Sequence, residues 1–104
     1  MWWKYLFDLF DNSFFNNKIS SKGASLLFNT LRKRKSIVET INLSSNELDD
    51  DCIESLGEFI QNSHTIKNIN ISGNNITDKG IEILLPYLIG NIALKILIFH
   101  IIKE

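Results

Sequence analysis

The stretch that decides the fold is Val38-x-x-Ile41-x-Leu43-x-x-Asn46-x-Leu48, because it recurs as Ile66-x-x-Ile69-x-Ile71-x-x-Asn74-x-Ile76. The offset is 28 residues, and the match runs on past the quoted segment. Cys52 falls on Gly80, Ile53 on Ile81, Leu56 on Leu84, Phe59 on Tyr87 and Ile60 on Leu88. Self-similarity at a fixed period of this length is the signature of a repeat architecture.

Working outward, a degenerate copy lies upstream at an offset of 29. It reads Leu9-x-x-Asn12-x-Phe14-x-x-Asn17-x-Ile19, followed by Gly23, Ala24, Leu27 and Leu31. Downstream, Leu94-x-x-Leu97-x-Phe99 begins a further copy, with Ile102 in the asparagine column. Asparagine is 12 of 104 residues. Three chosen columns filled by asparagine in register, together with the aliphatic matches, are not a product of composition.

Each column has a physical reading. Alternation at Ile41-x-Leu43 and Ile69-x-Ile71 is the period-2 signature of a short half-buried strand. The spacing then changes: Ile53, Leu56, Phe59 and Ile60, and again Ile81, Leu84, Tyr87 and Leu88, form one apolar face of a short helix. Strand and helix cannot bury their faces alone, so stacked copies are expected to form a parallel sheet backed by helices. Ser20 or Ser21, Asp49 or Asp50, and Thr77 or Asp78 stand where side-chain oxygens cap first-turn amides. Asp49-Asp50-Asp51 also suits the positive end of a helix. It reads as a capping run and not as a metal site, since adjacent carboxylates do not converge by themselves. Gly23 and Gly80 are expected where helix closely approaches sheet, with Cys52 a small buried residue in the same column. Pro86 is expected to end or kink its helix near Leu85. Asn17, Asn46 and Asn74 follow each strand, where a carboxamide can meet unpaired backbone donors and acceptors. They are expected to form a structural ladder inside the coil.

The pattern resembles the leucine-rich repeat consensus L-x-x-L-x-L-x-x-N-x-L. Its period of 28 to 29 is similar to that of the ribonuclease-inhibitor-like subclass. The resemblance covers roughly residues 9–99. It implies an α/β solenoid of about three repeats plus a stub, with short parallel strands on the concave side and helices on the convex side. The repeats then span approximately 9–37, 38–65 and 66–93, with a partial copy at 94–104. Residues 1–8 form an N-terminal aromatic helix or cap. There Trp2, Trp3, Leu6 and Phe7, with Phe10 beyond, fit one face, as a lid over the first repeat or as a membrane-surface anchor.

In this family the exposed strand positions line the concave face, which is the usual recognition surface. Carried over residue by residue, they are Thr40, Asn42, Ser44 and Ser45, then Asn68, Asn70 and Ser72. Ser13 and Phe15 extend the row. The implied surface is polar, nearly uncharged and suited to a protein partner. Ile96 and Ile98 are apolar where the row should be polar, and their strand has no successor. That edge suits a longer array, self-association or a folded-back cap. A fragment of a longer array is the favoured expectation, with function residing in non-catalytic protein binding. Two alternatives stand beside it. Ran GTPase-activating proteins have repeats of this subclass, which suggests a GTPase-regulatory role. The tryptophan-rich start suggests a membrane-peripheral adaptor, though a membrane partner is the less favoured one.

Composition excludes more than it identifies. A net charge of −1 gives no general affinity for nucleic acid. One cysteine excludes an internal disulfide, and two histidines make a structural zinc site a poor expectation. No metal ligand set, cofactor motif or catalytic constellation is legible: there is no phosphate loop, and neither His64 nor His100 has an expected triad with Cys52. The start is interrupted by Lys4 and Asp8 and lacks a small-residue cleavage site, and Ile92 to Ile102 is about half a bilayer span. The expected location is therefore intracellular, with the cytoplasm as the default and not the reading of any address signal. The sequons at Asn42, Asn70 and Asn75 then read as chance. Arg32-Lys33-Arg34-Lys35 is the one charge cluster, read as a solvated helix-to-strand loop in preference to a localisation signal or phosphate patch.

Overall fold

A computed structural model describes residues 11–13, 18–35, 37–89 and 96–98. Four short strands, β1 (Asp11–Ser13), β2 (Thr40–Asn42), β3 (Asn68–Asn70) and β4 (Ile96–Ile98), form one sheet in the order β1-β2-β3-β4. All three pairings are parallel: Asn12 faces Ile41, Ile41 faces Ile69, and Ile69 faces Leu97. Between them run α1 (Ser21–Lys33), α2 (Ile53–Asn62) and α3 (Asp78–Leu88).

The alternation in the sequence decides which way each strand faces. Ile41 and Ile69 are buried, while Thr40, Asn42, Asn68 and Asn70 on either side of them are half-buried. Successive side chains point to opposite faces, so one face packs on the helices and the other is polar. Pairing continues past the three-residue strands. Leu43 N–H donates to Asn70 O at 2.8 Å and Ser45 N–H to Ser72 O at 2.9 Å. Further along, Asn75 N–H donates to Leu48 O at 2.7 Å. The second and third turns of the chain are thereby hydrogen-bonded through their loops as well as their strands.

One core runs from Ala24 to Leu84, built from strand residues such as Ile41, Leu43, Ile69 and Ile71 and helix residues such as Phe28, Leu56 and Ile60. Phe28 of α1 stacks on Phe59 of α2, with ring centroids 5.8 Å apart and planes 23° apart. The stack joins neighbouring helices where an aliphatic pair would cover less area.

The helix starts show how the sequence is used. Ser20 caps α1, its Oγ accepting the Gly23 N–H at 3.3 Å. Asp49 caps a 3-10 turn (Asp50–Cys52) that leads into α2, accepting the Asp51 N–H at 3.0 Å. Thr77 precedes α3 but its side chain makes no cap bond. Its hydroxyl donates instead to Asp50 Oδ2, and its N–H to Asp50 Oδ1 at 2.9 Å. A carboxylate is a stronger acceptor than a hydroxyl is a cap, so the interaction between turns wins.

Two expectations are corrected here. Pro86 lies inside α3, which does not end at Leu85 but continues to Leu88. Proline removes its own N–H donor and crowds the carbonyl four residues earlier, but two positions before the end of a helix only one short turn remains to be carried past it. Gly23 and Gly80 are not close approaches of helix to sheet. A Cβ at Gly23 would be in ordinary contact with Ile19 at 3.4 Å, while one at Gly80 would collide with the Asp50 carboxylate. Gly80 is small so that Asp50 can reach Thr77.

The aromatic segment 1–8, Phe10, Phe15, Asn17, Ile92 and residues 99–104 lie outside the described residues. So do the side chains of Ser13, Ile96 and Ile98.

Candidate functional site

The strand row is the first candidate. Thr40, Asn42 and Ser44 on one turn of the chain, and Asn68, Asn70 and Ser72 on the next, lie side by side and half-buried; Ser45 is exposed. The Asn68 carboxamide donates to Thr40 Oγ1 at 3.3 Å across the two strands. Asn42 and Asn70 are committed to their own turns. Asn42 Oδ1 accepts from Ser44 N–H at 3.0 Å and Ser44 Oγ–H at 2.6 Å. Asn70 Oδ1 does the same with Ser72, at 3.0 and 2.7 Å. These are Asx turns, in which a side-chain oxygen takes the place of a backbone acceptor. They fix the position of the Ser44 and Ser72 hydroxyls on the row.

Behind the row lie Asn46 and Asn74, both buried. Asn74 Nδ2 donates to Ile71 O, Leu43 O and Ser72 O at 2.9, 3.0 and 3.2 Å. Its Oδ1 accepts from Leu48 N–H at 3.0 Å and Asn46 N–H at 3.1 Å. Asn46 Nδ2 donates to Leu43 O at 2.9 Å and Ser44 O at 3.2 Å, and its Oδ1 accepts the Ile19 N–H at 2.9 Å. Both carboxamides thus cross to the preceding turn of the chain, and neither faces a ligand position.

Two cross-turn contacts lie on the side where the helices begin. Ser21 Oγ donates to Asp49 Oδ1 at 2.6 Å and accepts the Asp49 N–H at 2.8 Å. Hydrogen bonds from Ser21, then from Asp51 N–H, hold the Asp49 carboxyl below its ordinary value, against a smaller opposing effect of burial. Cys52 is buried beside them, and burial pushes its thiol up, away from the thiolate a nucleophile needs. Among the described residues no group of three or more His, Cys, Asp or Glu side chains could hold a metal ion, and no helix is long and apolar enough to cross a membrane.

The opposite side, where helices return to strands, carries a feature the sequence showed only in pieces. Arg32 lies in the last turn of α1 and Arg34 at its C-cap. Arg32 and Lys35 line a cavity of about 320 Å³ together with Phe59 and His64. Charge run and histidine are 29 or more residues apart in the chain; their meeting is visible only once the two loops are stacked. A signal was present in the column alignment, which puts Leu31 on Ile60 and so sets the following loops in parallel.

Sheet, helices and cross-turn asparagines define a leucine-rich repeat fold. The Leucine Rich repeat family matches residues 62–84. Among solved structures, the chain is similar to one titled leiomodin-1 actin-binding site 2, with a TM-score of 0.81 and 22% identity. That match covers 94% of this chain and 59% of the other. It is also similar to the tropomodulin C-terminal domain of Caenorhabditis elegans, with a TM-score of 0.73 and 22% identity over 91% of this chain and 56% of that one. The chain thus spans less than two thirds of either relative. No curated protein matches it.

Proposed function

We propose that the chain is a non-catalytic protein-binding module whose partner lies against the strand row, the concave face of a small solenoid. The observation that carries this reading is the row itself. Thr40, Asn42, Ser44, Asn68, Asn70 and Ser72 present hydroxyl and carboxamide groups on the sheet face that, among the described residues, no helix covers, with Asx turns fixing Asn42 with Ser44 and Asn70 with Ser72. Polar groups held in place by their own backbone lose little entropy on binding. The pairings of Asp11 with Thr40, Thr40 with Asn68 and Asn68 with Ile96 support the ribonuclease-inhibitor-like period and a repeat array, of which this chain is a part.

The first partner to test is monomeric actin, because one solved relative is titled an actin-binding site. Arginine belongs at Thr40 and Asn68, which bond to each other at 3.3 Å. Asn42 and Asn70 are poorer choices, since their loss would unfold the turns they hold. Saturable binding of actin that is lost in Thr40→Arg with Asn68→Arg, at an unchanged urea midpoint, supports the reading. Binding that survives the double variant overturns the assignment to this face. Absence of binding removes actin and leaves the row to be tested with other partners.

A further inference from the structure

The strand row leaves two amino groups unpaired among the described residues. Asn42 and Asn70 are direct partners in adjacent parallel strands. Each Oδ1 accepts a backbone N–H, from Ser44 and Ser72 respectively, both at 3.0 Å. A backbone N–H can only donate, so it fixes which end of each carboxamide is oxygen. The amino end is left pointing out of the turn. Neither Nδ2 has a hydrogen-bond partner among the described residues. Among those residues the one unpartnered side-chain atom sealed from solvent is Arg32 Nε, so both amino groups reach water.

The spacing and the surroundings decide what would pair with them. Both asparagines make the same turn, so their amino groups are displaced by one strand spacing, about 4.8 Å. The two oxygens of a carboxylate lie closer together than that, and each can meet one nitrogen at about 2.9 Å from a position above both. A lone carbonyl oxygen would have to be shared between them. A phosphate is held best by cations, and the row supplies none. Glu39 and Lys67, which precede Thr40 and Asn68 in the chain, pair with each other at 3.2 Å. The Ser44 and Ser72 hydroxyls direct their protons to Asn42 and Asn70, at 2.6 and 2.7 Å. They offer only lone pairs outward, which confines an anion to the asparagine pair. The complementarity is one of charge: two partially positive amide ends, side by side, on a face without an ionised group of its own.

From this we infer that Asn42 and Asn70 form a receptor for one carboxylate, presented as an aspartate or glutamate side chain of a partner. The inference rests on the reading of the row as a partner-binding face and deepens it, by naming the chemical group set against the middle of the row.

The test follows the side-chain amide signals of Asn42 and Asn70 by NMR in the full chain. A blocked tetraglutamate peptide, and separately its tetraglutamine counterpart, is titrated in at neutral pH and constant salt. The glutamate peptide is expected to move both pairs of amide protons together and saturably, and to bind at least about tenfold more tightly than the glutamine peptide. Asn42→Asp with Asn70→Asp keeps an oxygen for the Ser44 and Ser72 N–H groups and replaces each outward donor by an anionic acceptor. It should weaken the glutamate peptide by about tenfold or more at an unchanged urea midpoint. Lys22→Glu changes the net charge by the same amount at an exposed position on α1, and should leave binding within about twofold. Shifts confined to Lys33, Arg34 and Lys35, equal binding of the glutamine peptide, no saturable binding at millimolar concentrations, or indifference to the aspartate pair would each overturn the inference. Any of these can occur while Thr40→Arg with Asn68→Arg still abolishes capture of a protein partner, and the row then stands without the carboxylate. Peptide capture at the asparagines, with no protein partner affected by that arginine pair, keeps the carboxylate receptor and removes the protein-binding reading.

Discussion

The side-chain oxygen of Asn74 accepts the backbone N–H of Asn46 at 3.1 Å, so one asparagine of the pair holds the turn that positions the other. Asn74 also holds Leu48 N–H and three carbonyls, and is 3% exposed. Truncating it strands several buried groups at once. Asn74→Ala is expected to cost about 2–3 kcal/mol, at the upper end for buried unsatisfied partners, and Asn46→Ala about 1–2 kcal/mol. Asn74→Asp should be worse than Asn74→Ala at neutral pH, because it turns a charged oxygen toward carbonyls that need a donor. Urea unfolding of the three variants gives the ranking, and an Asn74→Ala loss below that of Asn46→Ala would refute it.

Ser45 and Gly73 occupy equivalent positions in successive turns, and both have left-handed backbone, φ 57° and 69°. Serine tolerates that region only at a cost of about 1 kcal/mol. Ser45→Gly is therefore expected to be neutral or stabilising by up to about 1 kcal/mol, the gain offset by added freedom in the unfolded chain. Gly73→Ala is expected to be destabilising by about 1–2 kcal/mol. Beyond the backbone strain, its Cβ would lie 3.1 Å from Ser45 Oγ and 3.3 Å from Ser45 N. Thermal midpoints of the two variants should move in opposite directions or leave Ser45→Gly unchanged.

Gly57 of α2 is buried with the ring of Tyr87 from α3 against it, and a Cβ there would collide with the ring. Alanine improves helix propensity over glycine by about 1 kcal/mol, while overpacking costs about 1–3 kcal/mol. In the natural chain Gly57→Ala should destabilise. In a Tyr87→Ala background the collision is gone, and the same substitution should stabilise by up to about 1 kcal/mol. The sign reversal in a double-mutant cycle is the readout, and additive effects would show that the ring is not the obstacle.

What was legible in the sequence follows from how locally each feature is specified. The alternation around Ile41 and Ile69 and the three-residue spacing from Ile53 to Ile60 mark strand and helix because burial follows local periodicity. The apolar columns therefore found a leucine-rich repeat fold from one chain. Polar roles were less legible. Asp50 and Thr77 each read as a helix cap in isolation, but they bond to each other across turns. Gly80 looked like a tight fit to the sheet, and proves to be room for Asp50. Such contacts depend on the stagger between turns, which no single repeat encodes. The cavity at Arg32 and His64 was hidden for the same reason: its residues come from two loops, each unremarkable alone.

Asp49 gives the fold a dependence on pH that is set by its contact with Ser21. The hydroxyl stabilises the ionised carboxylate, so the folded state holds its proton less tightly than the unfolded chain does. Stability from this pair is then present above the ordinary carboxylate value of about 4 and is lost as pH falls through the lowered folded value. Ser21→Ala removes the donor. It also removes an acceptor for the Asp49 N–H, a loss that does not depend on pH. The difference in stability between the natural chain and Ser21→Ala should therefore shrink, without vanishing, between about pH 6 and about pH 2. The comparison cancels every other carboxylate, since both chains carry them. A difference in urea midpoint that stays constant or widens on acidification would mean that Ser21 acts only through packing and the backbone.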